Sequence, residues 1–453
     1  MSLQGKKVLV VGTGKSGIAA TELLRANNID TVLFDGNKEL DTVALYEKAP
    51  AIREVPLILG DITDAQMDEF DVAVLSPGVP TDIPMVNSLR DKGVKIWGEI
   101  ELAYTFGAGR IIAITGTNGK TTTTALTGEI MKNYFKDVRV VGNIGIPYTS
   151  MVTGSTDETV TVAEISSFQL ETIDTFKPHI SAILNITPDH LNRHHTMENY
   201  IQAKEDITKN QTQDDFCILN YEDEVLRSFA AECPAKVIFF SSKSELSEGF
   251  YLDGDSIMYA HDGARDEIIN VNDLNLLGKH NFENVMAACA MSLSFGVPMD
   301  KIVEVLKVFK AVEHRIEYVT EKRGVKFYND SKGTNPDAAI QGIRAMNRPT
   351  LLIGGGYDKQ SEYDEWIEAF DGKVKELVLI GQTADKIEEC AHRHGFMNTV
   401  KKDTFEEAVS YCYEHAASGD AVLLSPACAS WGMFPNYEER GRIFKELVKG
   451  LEE

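Results

Sequence analysis

Short, nearly continuous apolar runs recur along this chain of 453 residues, and longer amphipathic stretches separate them. A strand that is apolar at every position has to be buried on both faces, as happens in parallel sheets covered by helices. The pattern therefore predicts an α/β protein composed of several doubly wound units. The runs are Val8–Val11, Thr31–Phe34, Val72–Leu75, Ile111–Ile114, Val160–Ala163, Ile180–Leu184, Leu351–Ile353, Leu377–Ile380 and Ala421–Leu424.

Two breaks in this pattern indicate three domains. Trp97–Gly109 separates the first series of strands from the second, and Lys310–Arg315 precedes the last series. A chain of this length has room for about two to four domains. We predict a Rossmann-like N-terminal unit at residues 1–98, a central unit with a P-loop ATPase-like parallel sheet at 99–311, and a Rossmann-like C-terminal unit at 312–453.

The chain is strongly acidic, with 69 Asp and Glu against 45 Lys and Arg and a formal net charge of −24. Such a charge repels nucleic-acid phosphates and anionic membranes, and no run of Lys and Arg offsets it locally. We therefore expect neither nucleic acid nor a membrane as a partner. An anionic nucleotide would have to be bound by individual cations, backbone N–H groups or metal.

The cysteines and the N-terminus point to a reducing compartment. None of the six cysteines forms a Cys-x-x-Cys pair, and most lie in apolar segments. Buried, reduced thiols are therefore favoured over zinc sites or disulfides. The N-terminal residues lack the apolar region of a signal peptide, and no apolar run is long enough to span a bilayer. We expect a cytoplasmic protein.

The segment Thr115–Thr122 follows one predicted strand and leads into a predicted helix. Glycine-rich loops in this position bind phosphate through backbone N–H groups and the helix dipole, while a lysine, here Lys120, reaches the outer phosphates. The hydroxyl of Thr121 is then placed to bind Mg²⁺. The common P-loop has a glycine five positions before Gly119, where this chain has Ile114. A chance Gly-Lys-Thr turn is the weaker alternative.

A second glycine pattern, Gly12-x-Gly14-x-x-Gly17, follows the first predicted strand, and Asp35 ends the next one. The combination matches the dinucleotide fingerprint with its ribose-binding acid. It predicts a nucleotide or diphosphate at the N-terminus of the first helix. The structural alternative is that these glycines serve only a tight turn between strand and helix.

Polar residues after two further strands are candidate metal ligands. Glu164 and His190 each follow one of the apolar runs, and ligands bind outside the carboxyl ends of strands in such sheets. Taken alone, Glu164 is more simply an exposed acid, and an imidazole is an unusual companion ligand for Mg²⁺. We expect the neighbouring His194 and His195 to lie on the surface.

Several polar residues elsewhere carry weaker signals. Asn281 and Asn284 are three residues apart and so share one face of a predicted helix, although Asn281 alone is also consistent with a helix N-cap. Lys204 is unremarkable in its predicted helix. In the last domain, polar loops follow strands and so share one edge of a sheet, where they would face a common cleft. These loops are Asn329–Asn335, Gly354–Lys359 and Ser425–Trp431.

Taken in order, these segments resemble the Mur ligase family. The resemblance covers essentially the whole chain and is carried by Thr115–Thr121, Glu164–Leu170, Asp189–Leu191, Ala203–Lys204, His280–Asn284, Glu313–Arg315 and Asn329–Thr334. Within the family, some segments are similar to the members that join D-glutamate to UDP-N-acetylmuramoyl-L-alanine. These are Gly12–Gly17, Ser76–Val79, Gly142–Gly145, Glu164–Glu171 and Leu424–Ser430.

The resemblance implies an ATP-dependent ligase of peptidoglycan precursor synthesis. The carboxylate of UDP-N-acetylmuramoyl-L-alanine would attack the γ-phosphate of Mg-ATP, and the amine of D-glutamate would then attack the acyl phosphate. The first domain would bind the uridine nucleotide, the second ATP, and the third D-glutamate and part of ATP. We expect a monomer whose partners are these three small molecules.

The resemblance also implies roles for individual residues. Catalytic roles fall to Lys120, His190 and Lys204. Two Mg²⁺ ions would be held by Thr121, Glu164, His190 and a CO₂-derived carbamate on Lys204. ATP would contact Gly116, Thr117, Asn118, Gly119, Lys120, Thr121, Thr122, Asn281, Asn284, Arg315, Asp330 and Lys332. The uridine substrate would contact Gly14, Lys15, Ser16, Asp35, Ser76, Asn143 and His190. D-Glutamate would contact Thr334, Lys359, Ser430 and Tyr437.

Three alternatives remain open from the sequence. The first is an NAD-dependent oxidoreductase, suggested by Gly12–Gly17 and Asp35, which leaves the Lys120 loop and the last domain unexplained. The second is a P-loop motor or switch ATPase that releases phosphate without an amine acceptor. The third is another Mur ligase or a folylpolyglutamate-type ligase, which differs in the amino acid that it accepts.

Overall fold

The computed structural model describes residues 2–310 and 312–452. The predicted boundary at residue 311 lies outside the described residues. Contacts divide the chain into two compact units. The first unit comprises residues up to Ile269 together with Glu283–Leu306, and the second comprises Asn270–Phe282 and the residues from Lys307 onward.

A parallel sheet with strand order β3-β2-β1-β4-β5 lies at the start of the chain. Its strands are β1 (Lys7–Val11), β2 (Asp30–Asp35), β3 (Leu57–Leu59), β4 (Val72–Leu75) and β5 (Lys95–Gly98). The helices are α1 (Lys15–Ala26), α2 (Thr42–Lys48), α3 (Asp64–Met67), α4 (Pro84–Asp91) and α5 (Glu99–Phe106), with a 3-10 turn at Pro50–Ile52.

The second sheet has the order β14-β13-β12-β11-β10-β9-β6-β8-β7. Its strands are β6 (Arg110–Thr115), β7 (Val138–Gly142), β8 (Val160–Glu164), β9 (Ile180–Ile183), β10 (Phe216–Asn220), β11 (Lys236–Ser241), β12 (Gly249–Asp253), β13 (Ser256–His261) and β14 (Ala264–Asn270). The helices are α6 (Lys120–Tyr134), α7 (Ser167–Leu170), α8 (Leu191–His194), α9 (Met197–Glu205), α10 (Glu224–Phe229), α11 (Lys279–Phe295) and α12 (Met299–Val308), with 3-10 turns at Tyr148–Ser150, Asp206–Thr208 and Val271–Asp273. The pairing of β12 with β13 is antiparallel.

The third sheet has the order β15-β16-β20-β17-β18-β19, parallel except for the antiparallel pair β15–β16. Its strands are β15 (Glu317–Lys322), β16 (Val325–Asn329), β17 (Thr350–Gly355), β18 (Val374–Ile380), β19 (Thr399–Lys401) and β20 (Ala421–Leu424). The helices are α13 (Pro336–Ala345), α14 (Asp364–Glu368), α15 (Ala384–Arg393), α16 (Phe405–His415) and α17 (Tyr437–Lys449).

These sheets confirm the predicted α/β class. Each apolar run singled out in the sequence contributes to a strand, and the residues of these runs are buried. One apolar cluster contains side chains of both the first and the second sheet, such as Val10 and Ala113. The third sheet has separate clusters on its two faces. Among the described helices, none is long and apolar enough to cross a membrane.

The strand orders determine which loops come together. In the first sheet β1 lies between β2 and β4, in the second β6 lies between β9 and β8, and in the third β20 lies between β16 and β17. These neighbours are parallel, so the loops that follow them emerge at the same edge of each sheet. The polar loops identified in the sequence are the ones that emerge there.

Candidate active site

The phosphate-loop candidate connects β6 to α6, and residues after β9 hold it in place. The N–H of Asn118 donates to Oδ1 of Asn185 at 2.8 Å, and Nδ2 of Asn185 donates back to the carbonyl of Asn118 at 3.2 Å. The Thr117 N–H donates to the carbonyl of Asn185 at 2.9 Å. Asn185 was not predicted from the sequence, although its position directly after an apolar strand was a signal.

Gly119 has to be glycine for two reasons. Its φ of +85° lies in the left-handed region, and a Cβ here would lie 2.3 Å from Oδ1 of Asn284. Asn284 also accepts a hydrogen bond from the Thr123 hydroxyl at 3.2 Å. The structure therefore brings Asn284 to the loop. Asn281 belongs to the second unit, where its Nδ2 donates to the carbonyl of Leu277 at 2.7 Å.

Two lysines meet at the first glycine of the loop. Nζ of Lys120 donates to the carbonyls of Gly116 and Thr117 at 2.8 and 2.9 Å, and Nζ of Lys204 donates to the same Gly116 carbonyl at 2.9 Å. Lys204 is 1% exposed and lies over the ring of Tyr200. Burial, together with the charge of Lys120, holds the pKa of Lys204 well below its ordinary value. The enclosed position thus disfavours the charged form of Lys204 relative to an exposed lysine.

Glu164 provides a buried carboxylate at the end of β8. It is 2% exposed, and its Oε1 accepts a hydrogen bond from Nδ2 of Asn143 at 2.7 Å. Its Oε2 is buried and has no partner among the described residues. Thr121, in the first turn of α6, is also buried. A hard oxygen-binding cation fits this donor set, because it would satisfy the unpaired carboxylate oxygen.

The histidines after β9 differ from one another in their surroundings. The imidazole of His190 is half exposed and lies near Asp189, with a ring-centroid distance of 4.8 Å to Phe168. His195 is exposed, as expected. The expectation for His194 was wrong: it is 4% exposed, because its ring packs against Ser167 and Glu171, at 3.0 and 3.2 Å. Burial lowers the pKa of His194 despite the nearby Glu171 carboxylate.

Arg193 joins this region to the first sheet. Its Nη2 donates to the carbonyl of Val79 at 3.0 Å and to Oε2 of Glu171 at 2.7 Å. Val79 lies in the loop after β4, which carries the predicted Ser76. The contact of Arg193 with Val79 was not predicted, because the two residues are 114 positions apart in the chain.

At the edge of the first sheet, the glycines permit a very close approach. A Cβ on Gly17 would lie 1.8 Å from the carbonyl oxygen of Gly12, and one on Gly12 would lie 2.7 Å from Oγ of Ser76. This Oγ is buried, and no described residue bonds to it. The predicted residues Gly14, Lys15 and Ser16 lie at the N-terminus of α1, where Gly14 is the N-cap.

Asp35 is engaged with the first glycine loop. Its Oδ2 accepts hydrogen bonds from the N–H and the hydroxyl of Thr13 at 3.0 and 2.5 Å, and its Oδ1 accepts one from the Asn37 N–H at 3.0 Å. Burial alone would raise the pKa of Asp35, but these hydrogen bonds outweigh it and lower the pKa. Asp35 therefore holds the Gly12–Gly17 loop in place through hydrogen bonds from Thr13 to its carboxylate.

In the second unit, Asp330 follows β16 directly and is buried, with 5% of its surface exposed. Its Oδ2 accepts a hydrogen bond from the Ser425 hydroxyl at 2.6 Å, and its Oδ1 accepts one from the Ile316 N–H at 3.3 Å. Burial raises the pKa of Asp330 to about 7, against the opposing effects of Ser425 and the Arg315 charge. Nε of Arg315 is buried and has no partner within the described parts of the chain.

The remaining predicted residues of this unit lie in the loops after β16, β17 and β20 and at the start of α17. Nζ of Lys332 lies 5.5 Å from the ring centroid of Tyr437, so these two side chains are close together. Thr334 is in the same loop, where its N–H donates to the carbonyl of Lys332. Ser430 is buried in the loop after β20, and Lys359 is exposed in the loop after β17.

Arg440 of α17 was missed by the sequence reasoning and links two of these loops. Its Nε and Nη2 donate to Oγ and the carbonyl oxygen of Ser331 at 2.9 and 2.8 Å, and its Nη1 donates to the carbonyl of Cys428 at 3.2 Å. Burial lowers the pKa of Arg440 to about 10. The loops that carry Asp330 and Ser430 are thus held by one buried guanidinium.

Three family models match the chain in succession. "Mur ligase MurD-like, N-terminal domain" matches residues 6–98, "Mur ligase middle domain" matches residues 114–292, and "Mur ligase, glutamate ligase domain" matches residues 314–428.

Curated relatives match over the full length. A UDP-N-acetylmuramoylalanine–D-glutamate ligase of Lachnoclostridium phytofermentans is 58% identical over 453 residues, with 100% of both chains covered. Proteins of the same name from Lachnospira eligens and Clostridioides difficile are 56% and 47% identical over 452 residues, again with 100% of both chains covered.

Solved structures support the fold. MurC from Thermotoga maritima superposes with a TM-score of 0.61 at 19% identity and covers 98% of this chain and 99% of that one. MurF from the same organism, in complex with ADP, gives a TM-score of 0.60 at 17% identity, with 99% and 97% covered. The fold, the strand-end loops and the full-length relatives agree, and the chain belongs to the Mur ligase family of ATP-dependent ligases of peptidoglycan precursors.

Proposed function

We propose that this chain joins D-glutamate to UDP-N-acetylmuramoyl-L-alanine with the hydrolysis of ATP to ADP and phosphate. The main support is the full-length identity of 58% to a relative named for that reaction. The family assignment favours an amide-forming ligase over the NAD-dependent and motor ATPase alternatives. The closest competitor is a Mur-type ligase with another acceptor amino acid.

In the first step, an oxygen of the substrate carboxylate attacks the γ-phosphorus, and the bond between that phosphorus and the β–γ bridging oxygen breaks. The products are an acyl phosphate and ADP. The loop N–H groups and Lys120 would stabilise the charge on the phosphoryl group as it transfers, which is the main contribution of proteins to this reaction type. Lys120 already lies within its own loop, so a phosphate there would meet its ammonium directly.

In the second step, the neutral amine of D-glutamate attacks the acyl carbon. A tetrahedral intermediate forms, and its collapse breaks the bond to the phosphate oxygen while the amine nitrogen loses a proton. We assign Thr334, Lys359, Ser430 and Tyr437 to the carboxylates of D-glutamate, and Arg315, Asp330 and Lys332 to ATP contacts. Lys332 and Tyr437 lie together, which supports one shared binding surface in the second unit.

Magnesium accompanies ATP in this chemistry and would neutralise phosphate charge when bound. Thr121 and Glu164 are the residues that would hold one ion, because Glu164 keeps a buried carboxylate oxygen without a protein partner among the described residues. Asn143 would orient that carboxylate through its 2.7 Å hydrogen bond. We assign a second ion to His190 and a modified Lys204.

The proposed modification is a carbamate on Lys204. The neutral amine nitrogen would attack CO₂, a C–N bond would form, and one proton would be released to solvent. Two features support it: the lowered pKa of Lys204 favours the nucleophilic neutral form, and Lys120 would face an anion instead of a second cation. A carbamate would also supply the hard oxygen atoms that Mg²⁺ prefers.

Labelling tests the carbamate directly. Protein equilibrated with ¹³C-bicarbonate should show a carbamate carbon resonance that disappears in Lys204→Ala but persists in Lys132→Ala, a change at an exposed lysine of α6. Lys204→Ala should also lose turnover, and added bicarbonate should not restore it. A parent protein without the resonance, or near-normal turnover of Lys204→Ala, would refute the assignment.

Acceptor specificity tests the function itself. Phosphate release is measured with ATP, UDP-N-acetylmuramoyl-L-alanine and, in separate assays, D-glutamate, L-glutamate, L-lysine and meso-diaminopimelate. We expect release that depends on D-glutamate alone, and loss of acyl-phosphate formation in Lys120→Ala but not in Lys132→Ala. Release with another amino acid would identify a different ligase, and release without any acceptor would favour a motor or switch ATPase.

Three further assignments rest on this proposal. The domains are 1–98 for the uridine substrate, 99–311 for ATP and 312–453 for D-glutamate. The protein is placed in the cytoplasm because its substrates are a nucleotide sugar and ATP. It is a monomer, so light scattering should give a mass near 50.1 kDa.

A further inference from the structure

A mixed cluster of metal-binding side chains lies between α14 and α15, apart from the groups assigned to the reaction. Asp364, Cys390 and His394 each offer one potential ligand atom, and these atoms lie within 4.8 Å of one another. It is the one such cluster found among the residues that the structure describes. A carboxylate oxygen, a thiol sulfur and an imidazole nitrogen form the cluster.

The helices account for this convergence. The N–H of His394 donates to the carbonyl of Cys390 at 3.2 Å, which is the hydrogen bond of one helical turn, so their side chains lie on one face of α15. Asp364 is the first residue of α14, and Glu368 is one turn further along the same helix. Packing of α14 against α15 places Asp364 and Glu368 opposite Cys390 and His394.

The imidazole of His394 has a carboxylate near each of its nitrogens. Its Nε2 lies 2.8 Å from Oδ1 of Asp364, and its Nδ1 lies 3.7 Å from Oε1 of Glu368. In metal sites a histidine that binds through one nitrogen commonly donates its other N–H to a carboxylate, which fixes the tautomer. Glu368 is the candidate for that outer carboxylate.

We propose that Asp364, Cys390 and His394 bind one divalent transition metal ion of the zinc type, with Glu368 orienting His394. A thiolate with an imidazole selects zinc and its neighbours over magnesium, which prefers oxygen ligands alone. Three protein ligands leave a fourth, tetrahedral position for water. The ion would fasten α14 to α15 and would be distinct from the magnesium sites of the reaction.

Two groups have to change when the ion binds. The Cys390 thiol loses its proton to solvent, because the thiolate is the metal ligand. Arg393, whose Nη2 lies 3.3 Å from Oδ1 of Asp364, has to turn away, and its side chain is 63% exposed and therefore free to do so. Arg393 thus competes with the metal, and affinity should rise on removal of this charge.

A cobalt titration of the full chain tests the site. The protein is stripped with a chelator, supplied with excess Mg²⁺ to occupy the hard-oxygen sites, and titrated with Co²⁺. We expect one equivalent to produce the near-ultraviolet charge-transfer band of a cobalt thiolate, and Zn²⁺ to displace it. The band should be absent in Cys390→Ser. No band in the parent protein, or a band that survives Cys390→Ser, would refute the proposal.

Variants at more accessible positions keep the test independent of folding. His394→Ala and Asp364→Asn should weaken Co²⁺ binding at least tenfold, and Glu368→Gln by about tenfold, as outer-shell changes do. Arg393→Gln should tighten it. His392→Ala is the matched control, because His392 lies on the same helix and bonds to Thr399 instead. Unchanged affinity in both His394→Ala and Asp364→Asn, with native circular dichroism, would contradict the ligand assignment.

Discussion

Asp330 shows how one buried residue makes stability depend on pH. Burial raises its pKa to about 7 from an ordinary value of 3.8, so the folded protein holds this proton more tightly than the unfolded chain does. The free energy of unfolding therefore falls as pH rises between those two values and levels off above about 7. Asp330→Asn should remove this loss, because the amide is uncharged and the Ser425 hydroxyl can accept from it.

We expect Asp330→Asn to gain stability relative to the parent as pH rises from about 5 to about 8, by up to about 3 kcal/mol. Thermal midpoints of both proteins across this range provide the measurement. Asp337→Asn is the control, since Asp337 is exposed and folding removes little water from its carboxylate. A difference between Asp330→Asn and parent that does not change with pH would show that Asp330 is ionised throughout.

Gly119 carries the second prediction at this scale. A methyl group there would meet Oδ1 of Asn284 at 2.3 Å while the backbone holds a φ of +85°. Gly119→Ala should therefore distort the phosphate loop and lower ATP-dependent turnover at least about a hundredfold, by analogy with other losses of transition-state positioning. Gly93→Ala is the control that has the backbone strain of a positive φ without a side-chain clash, because Gly93 has a φ of +81° and open space around it.

We expect Gly93→Ala to cost about 1 kcal/mol of stability and to leave turnover near that of the parent. If both variants retain turnover, the close approach of Gly119 to Asn284 has no bearing on the reaction. Steady-state phosphate release at saturating ATP distinguishes these results.

Single residues also mark the limit of what the sequence could predict. The loop around Lys120 was predicted because its glycines and its strand are local in sequence. The environment of Lys204 was not, because the carbonyl that it meets belongs to Gly116, 88 residues away. His194 was misplaced for the same reason: Ser167 and Glu171, which bury it, are brought near by the fold.

At the scale of elements, continuous apolar runs predicted the parallel strands well because burial on both faces leaves a strong local pattern. The antiparallel hairpin of β12 and β13 was not predicted. Its strands are only partly buried, so they lack such a run, and Gly254 with a φ of +56° at the turn was the remaining signal.

Helix α17 supports the site through Arg440, whose buried guanidinium holds the loops after β16 and β20. Arg440→Met would leave the carbonyls of Ser331 and Cys428 without this donor, at about 1–3 kcal/mol for each unsatisfied group. We expect a loss of about 3 kcal/mol in stability and faster hydrogen exchange in residues 330–334 and 425–430. Arg442→Met, an exposed change on the same helix, should alter neither. Unchanged exchange in Arg440→Met would contradict the linking role.

For the whole molecule, the distribution of apolar clusters predicts how the chain unfolds. Side chains of the first and second sheets form one cluster, whereas the clusters of the third sheet contain residues of the second unit only. Cooperative unfolding follows shared cores. The first and second sheets should therefore unfold together, although we assign different nucleotides to them in the proposed function, and the third sheet should unfold in its own transition.

Calorimetry with core variants tests this expectation. Leu219→Ala changes the first cluster and Leu423→Ala the third sheet, and both leucines are fully buried, so each should lose about 2–5 kcal/mol. Each variant should lower the midpoint of one transition and leave the other in place. UDP, a fragment of the proposed substrate, should raise only the transition that Leu219→Ala lowers, because a ligand stabilises the unit to which it binds. One transition that moves with both variants would show that the two units unfold as one.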